Sequence, residues 1–314
     1  MFQYIADIIT YNLFDLAEGS QIALATNFFF YDVLKILFLI FTVVTVIAFI
    51  RSFFDPNKFK KPMTGLKWGG GNVAAALFGA VTPFCSCSSI PLFIGFIESR
   101  FPLGIAFSFL ITSPLVNEVA FVIMGGLFGW KLAFLYALSG IALGVFGGLI
   151  IGSLKMEKEI ILENKEGEKY ESVMPKKLEA KIKFAFNFGW WTFKRLLPYV
   201  IGGIAIGAVI HGYVPQEFFV NTIGKFEVLS VPVAALVGIP IYAGCSTLVP
   251  IIFSITTGGV PLGTALAFMM AIAGLSLPEA VMLKRILSLK LLATFFGLVA
   301  IGIVIIGYLF NFLS

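Results

Sequence analysis

The chain has 314 residues, of which 59% are apolar and only 12% charged, with a mean hydropathy of +0.99. Soluble domains carry nearer ~25% charged residues, so a single water-soluble enzyme is excluded, and in a bilayer the length is room for about eight to ten spans of ~20 residues. Three cysteines cannot make a disulfide framework. The net charge of +5 points to nucleic acid only if the topology leaves it unexplained, because membrane proteins gather Lys and Arg in their cytoplasmic loops.

The stretch MFQYIADIITYNLFDLAE spaces its apolar residues as an amphipathic helix and has no Lys or Arg, which fits an interfacial helix and not a signal peptide. Residues 22–50 form the first expected span, with Asp32 and Lys35 near one end where they can reach the interface. A basic connector, 51–67, leads into the apolar run 68–97, whose centre reads VTPFCSCSSIP. Pro83 and Pro91 bracket a cluster of small hydroxyl and thiol residues there, a composition that breaks a straight spanning helix. The run opens on WGGGN, which lacks the strand and the Lys of a phosphate loop and reads as close helix packing or a hinge.

Residues 103–125 and 130–152 read as ordinary spans joined at Gly126–Gly129, and 153–187 then holds eight Lys and seven Glu as the one large solvated loop. The second half repeats the first: 188–212 spans, 229–257 is apolar but interrupted by GIPIYAGCSTLVP, and 263–283 and 287–310 span. Pro91 and Pro102-Leu103-Gly104 recur 159 residues later as Pro250 and Pro261-Leu262-Gly263, which sets Ser86 on Cys245 and Cys87 on Ser246. With two residues of drift, Glu118 falls on Glu279. Interrupted hydrophobic segments at matching places in two halves point to a transporter site at the repeat interface.

If the 51–67 connector and the 153–187 loop are both cytoplasmic, the chain between them crosses an even number of times, so 68–97 enters and leaves on one side as a re-entrant hairpin. The same logic makes 229–257 a hairpin from the opposite face, and 19 of the 22 Lys and Arg then lie inside or at the inner interface. The expected fold is an all-α polytopic membrane protein with an inverted structural repeat: residues 1–152, the cytoplasmic loop 153–187, and residues 188–314, with both termini outside. The hairpin tips meet near the midplane and bring Cys85 and Cys87 towards Cys245.

Thiols at helix breaks favour soft centres such as Cu(I) or a trivalent metalloid. A tetrahedral zinc site wants further ligands, and the only histidine, His211, reads as an interfacial residue. Cys85, Cys87 and Cys245 are therefore the expected ligands for a soft substrate, with Ser88, Ser89, Asn117, Ser246 and Thr247 as polar lining. Glu118 and Glu279 are ionisable residues within spans and are expected to couple transport to protons. The residues leave open a permease for a sulfur compound or a soft metal ion, and a membrane thiol-disulfide carrier with a thioredoxin-like partner. Neither catalysis nor a resident cofactor is expected, and the partners are a small-molecule substrate and the bilayer, with no nucleic acid.

TPFCSCSSIPLFIGF at 82–96, SPLVNE at 113–118, GCSTLVP at 244–250 and the polar central loop together resemble the YraQ/ArsP-like permease family of bacteria and archaea. The resemblance covers nearly the whole chain. It implies an exporter of the cytoplasmic membrane and, for the branch that carries organoarsenicals, efflux of trivalent species such as methylarsenite. By position, the family's cysteine motif falls on Cys85 and Cys87, with Cys245 as the second-half thiol.

Overall fold

The computed structural model describes residues 2–17, 19–51, 69–82, 86–98, 100–161, 177–213, 229–239, 241, 245–284 and 286–313. Long runs of Leu, Ile, Phe and Ala with few charges place the chain in lipid, where backbone groups must be satisfied within the segment, and the described elements are helical. A short helix α1 (Phe2–Asp7) continues as a π-turn at Ile8–Leu13 and packs on α2 (Gln21–Arg51). Asn27 of α2 holds the two together, donating 2.8 Å to Asp7 Oδ1 and accepting 2.9 Å from Gln3 Nε2. The rest of the first half is α3 (Gly70–Val81), α4 (Ser86–Glu98), α5 (Leu103–Leu115), α6 (Glu118–Phe128) and α7 (Trp130–Ser153). The second half comprises α8 (Leu178–Tyr213), α9 (Ser230–Gly238), α10 (Cys245–Thr257), α11 (Leu262–Gly274), α12 (Leu277–Leu283) and α13 (Leu289–Leu313).

Among the described residues, three helices are long and apolar enough to cross a membrane: Gln21–Val46 of α2, α7 and α13. The bent pair α5 and α6 makes a fourth candidate. The expected span 103–125 is not one straight helix, because α5 and α6 meet at 44° across Val116 and Asn117. The expected span 263–283 is likewise divided, into α11 and α12 at Leu275 and Ser276. In both cases the chain turns extended at a polar residue that opens the next helix. The turn between α6 and α7 is Gly129 alone, at φ 93°, a conformation that only glycine adopts without strain.

α3 and α4 fold back on each other against α5. α3 runs alongside α5 in the same direction, with Asn72 Nδ2 donating 2.9 Å to Ser108 Oγ and Gly79 lying against the Phe109 carbonyl. α4 returns: Ser89 meets Ser113 at 2.7 Å, Phe93 stacks edge-on to Phe107, and Phe101 N donates to Phe96 O. The end of α3 and the start of α4 therefore lie beside the end of α5, where the break lies. Gly71 and Asn72 of the WGGGN segment are buried in this packing, and a cavity of about 330 Å³ at the open end of the hairpin is lined by Gly69, Asn72, Gly104, Gly152 and Glu157.

The second half reproduces these contacts 159 residues on. α4 and α10, and α5 and α11, have bounds separated by that offset, and Pro102 and Pro261 open α5 and α11 with the same backbone, φ −52° and −55°. Gly238 lies against the Phe268 carbonyl as Gly79 lies against Phe109, and Val260 N donates to Ile255 O as Phe101 does to Phe96. Even the (i, i+4) cation-aromatic pair of Lys35 over Tyr31 recurs as Lys194 over Trp190. Between the halves, equivalent residues touch: Leu115 packs on Gly274 and Leu143 on Gly302. Gly147 meets Leu298, so α7 and α13 cross with opposite chain directions.

The charged loop is partly structured. Glu159 to Ile161 pair antiparallel with Ile286 to Ser288, through Ser288 N to Glu159 O at 2.8 Å and Ile161 N to Ile286 O at 2.7 Å. Ser288 Oγ also donates to Glu159 Oε2 at 2.6 Å while accepting from Leu291 N, which caps α13. Ser288→Ala removes the cap and strips a charge-assisted bond from Glu159, so we expect a loss of about 1–2 kcal/mol, read as a lower Tm of the detergent-purified protein.

Candidate transport site at two helix breaks

α5 ends because Pro114 has no N–H to continue the ladder and Asn117 offers a better start to a new helix. Asn117 Oδ1 accepts from Val119 N at 2.9 Å and Ala120 N at 3.3 Å, and the free Leu115 carbonyl accepts from Tyr136 Oη at 2.9 Å. The first break is thus satisfied by its own side chains. The second also has an extended cap residue but different chemistry. Ser276 occupies the cap position of α12 with no side-chain cap bond, followed by Pro278 and Glu279. Ser276 Oγ and both carboxyl oxygens of Glu279 are buried and have no hydrogen-bond partner among the described residues; the two residues are 1% and 0% exposed.

The caps correct one sequence correspondence. Asn117 and Ser276, separated by 159, are the matching residues, so Glu118 is the first residue of α6 while Glu279 is the third of α12. The first-half counterpart of Glu279 is Ala120, which is buried. Glu118 is half-buried, with Oε2 enclosed and without a partner among the described residues.

The two halves exchange elements around these breaks. α6, opening on Glu118, packs on α10, with Phe128 edge-on to Phe253 at 5.3 Å. α12, carrying Glu279, packs on α4 and α8. Each carboxyl-bearing helix therefore lies on the other half's returning hairpin helix, and those are the helices that carry Cys87 and Cys245. Cys85 lies outside the described residues, as do the side chains of Cys87, Ser88, Cys245, Ser246, Thr247 and His211. Ser89 is buried against Ser113, and Asn117 serves as a helix cap. Among the described residues no three His, Cys, Asp or Glu side chains gather as a metal site.

Two residues escaped the sequence reading. Ser276 was signalled by the Ser-x-x-Glu pattern of a capping box. Asp32 is 8% exposed, eleven residues inside α2, a burial that its place in the apolar run did not signal. α2 packs against α8 and α4, elements remote in sequence.

The ArsP_1 family, described as a predicted permease, matches residues 21–312. The chain belongs to that family. It is 23% identical to UPF0718 protein MJ0584 of Methanocaldococcus jannaschii over 75% of this chain and 80% of that protein. It is 26% identical to UPF0718 protein YraQ of Escherichia coli, over 76% of this chain and 66% of that one. A Streptococcus mutans relative, 23% identical over 82% of this chain and 85% of its own length, bears a provisional name as a two-component membrane permease complex subunit. No solved structure matches the chain. This ArsP_1 member is a multi-pass membrane protein of permease type.

Proposed function

We propose that the protein is a secondary permease of the cytoplasmic membrane that exports a soft, thiol-reactive small solute, with a trivalent organoarsenical such as methylarsenite as the substrate. The reading is carried by the convergence of two helix breaks and two hairpins whose returning helices bear thiols, in a family of permeases. Cys85, Cys87 and Cys245 would hold the solute by reversible thiolate bonds, lined by Ser88, Ser246 and Thr247, with Ser89 and Asn117 fixing the frame around them. Of the two carboxyls at the breaks, Glu118 and Glu279, full burial favours Glu279 as the one that would exchange a proton for cargo.

An inverted repeat would supply alternating access by rocking one half against the other. Two features support it: equivalent helices α7 and α13 cross with opposite directions, and the start of the charged loop is bonded to the α12–α13 connector, the two segments assigned to the cytoplasmic side. On this layout both termini are outside.

Expression in cells stripped of arsenical defences tests the reading. Wild type should raise the tolerated methylarsenite concentration, and Cys85→Ser or Cys245→Ser should lower that protection about tenfold or more, the loss of a little over 1 kcal/mol of binding. Absence of protection by wild type removes the arsenical. A mixed disulfide trapped with a thioredoxin-like protein would instead assign the thiols to electron transfer.

A further inference from the structure

We propose that Ser276 and Glu279 form an occluded site for one small monovalent cation, a proton or Na⁺, and that only the second half carries such a site. The inference deepens the transport reading by placing the coupling ion on one break.

Three substitutions between equivalent positions make the two breaks chemically opposite. In the first half Asn117 uses its side-chain oxygen on two backbone N–H groups, Tyr136 donates to the Leu115 carbonyl, and Ala120 packs without polar atoms. In the second half the corresponding residues are Ser276, Phe295 and Glu279. Phe295 is buried and has no hydroxyl to give the Gly274 carbonyl, Ser276 does not cap, and Glu279 brings two more oxygens. Pro278 removes a further N–H donor. The result is a buried carboxyl and hydroxyl that no described side chain meets, at a helix start whose backbone N–H groups are left uncapped, and a carboxyl so placed calls for a proton or a cation.

Ser-x-x-Glu would ordinarily close as a capping box, with the hydroxyl on the Glu N–H and the carboxylate on the Ser N–H. Here neither side chain makes those bonds, and among the described residues both are unpartnered at full burial. A carboxyl so placed costs several kcal/mol unless a proton or cation meets it. Carboxylate, hydroxyl and unwound backbone carbonyls are the hard oxygen ligands that discontinuous helices offer to Na⁺ or a proton. The titratable groups on the helices packed against α12 are Cys87 and Glu98 on α4 and, beyond the first turns of α8, Lys194, Arg195, Tyr199, His211 and Tyr213; of those whose side chains are described, none bonds to Glu279. Lys284, the next charge along the chain, is exposed.

The test is thermal unfolding of the full chain purified in detergent, in choline, potassium and sodium chloride at constant ionic strength and across neutral and mildly acidic pH. A ligand bound only by the folded state raises Tm, by roughly 3–5 °C near saturation for a chain of this size. If Na⁺ occupies the site, sodium alone should give that rise, and both Ser276→Ala and Glu279→Gln should abolish it. If a proton occupies it, sodium should have no effect, acidification should raise Tm, and Glu279→Gln should flatten that dependence. In either case Glu118→Gln should keep the response, and loss of the response there overturns the one-site assignment. No ionic or pH response in wild type, or a response that survives in Glu279→Gln, overturns the proposal. Because the readout needs no cargo, a chain that binds the ion but gives no arsenical protection separates failure of the substrate reading from failure of this one.

Discussion

Gly263→Val should yield no folded protein, whereas Gly297→Ala should fold with an unchanged or higher Tm. Both glycines sit in helices of the second half, and their surroundings decide the difference. A Cβ on Gly263 would fall on the Gly307 carbonyl oxygen and come within 2.6 Å of Asn311 N and 2.7 Å of Asn311 Oδ1. Two of these are backbone atoms that cannot rotate aside, and Asn311 is already engaged in bonds to Thr264 N and Oγ1 at 3.2 Å each. The first half has the same contact, Gly104 against Gly148, continued by Gly140, Gly144 and Gly152 at four-residue intervals along α7. In lipid, helices gain nothing from hiding apolar surface, so close packing through such small residues supplies much of their association. Forcing α11 off α13 should cost more than about 3 kcal/mol, enough to lose the fold. Gly297 has nothing within 4 Å of its Cβ position, and a methyl there should add roughly 0.5–1 kcal/mol through helix propensity. Size-exclusion profiles and melting curves of the two variants check both directions.

What could be read from the amino-acid order was whatever has a local or periodic signature. The prolines at 91, 102, 250 and 261 carried the 159-residue repeat, and the described helices keep that offset. The hydroxyl-rich, proline-flanked runs marked where a straight helix stops. Glu118 and Glu279 looked like mates because NE and PE stand near the same place in each half, but a two-residue slip rotates a helix position by about 200°, and only the caps at Asn117 and Ser276 fix the register. The burial of Asp32 had no local signature, because α2 packs on helices remote in sequence. Glu159 looked like one charge among fifteen in a solvated loop. Its pairing with Ser288 crosses 129 residues and has no local trace.

Glu279→Met should raise Tm in buffer free of sodium and, at the same time, abolish coupled transport. A methionine has nearly the volume and flexibility of glutamate, so it fills the space without a cavity or a forced rotamer. It also deletes two buried oxygens that have no partner among the described residues, and removing an unsatisfied buried polar group stabilises by about 1–3 kcal/mol. If the carboxyl were instead one member of a structural ion pair, the same change would strand its partner and destabilise by about 3–5 kcal/mol. The sign of the Tm shift therefore decides between a structural and a functional carboxyl, independent of what is transported. Counterflow of substrate in vesicles supplies the other half of the test: a variant that is more stable than wild type yet fails to respond to an imposed ion gradient has lost a group kept at a cost in stability. A variant that melts lower returns Glu279 to the structural frame of α12, and the ion site with it.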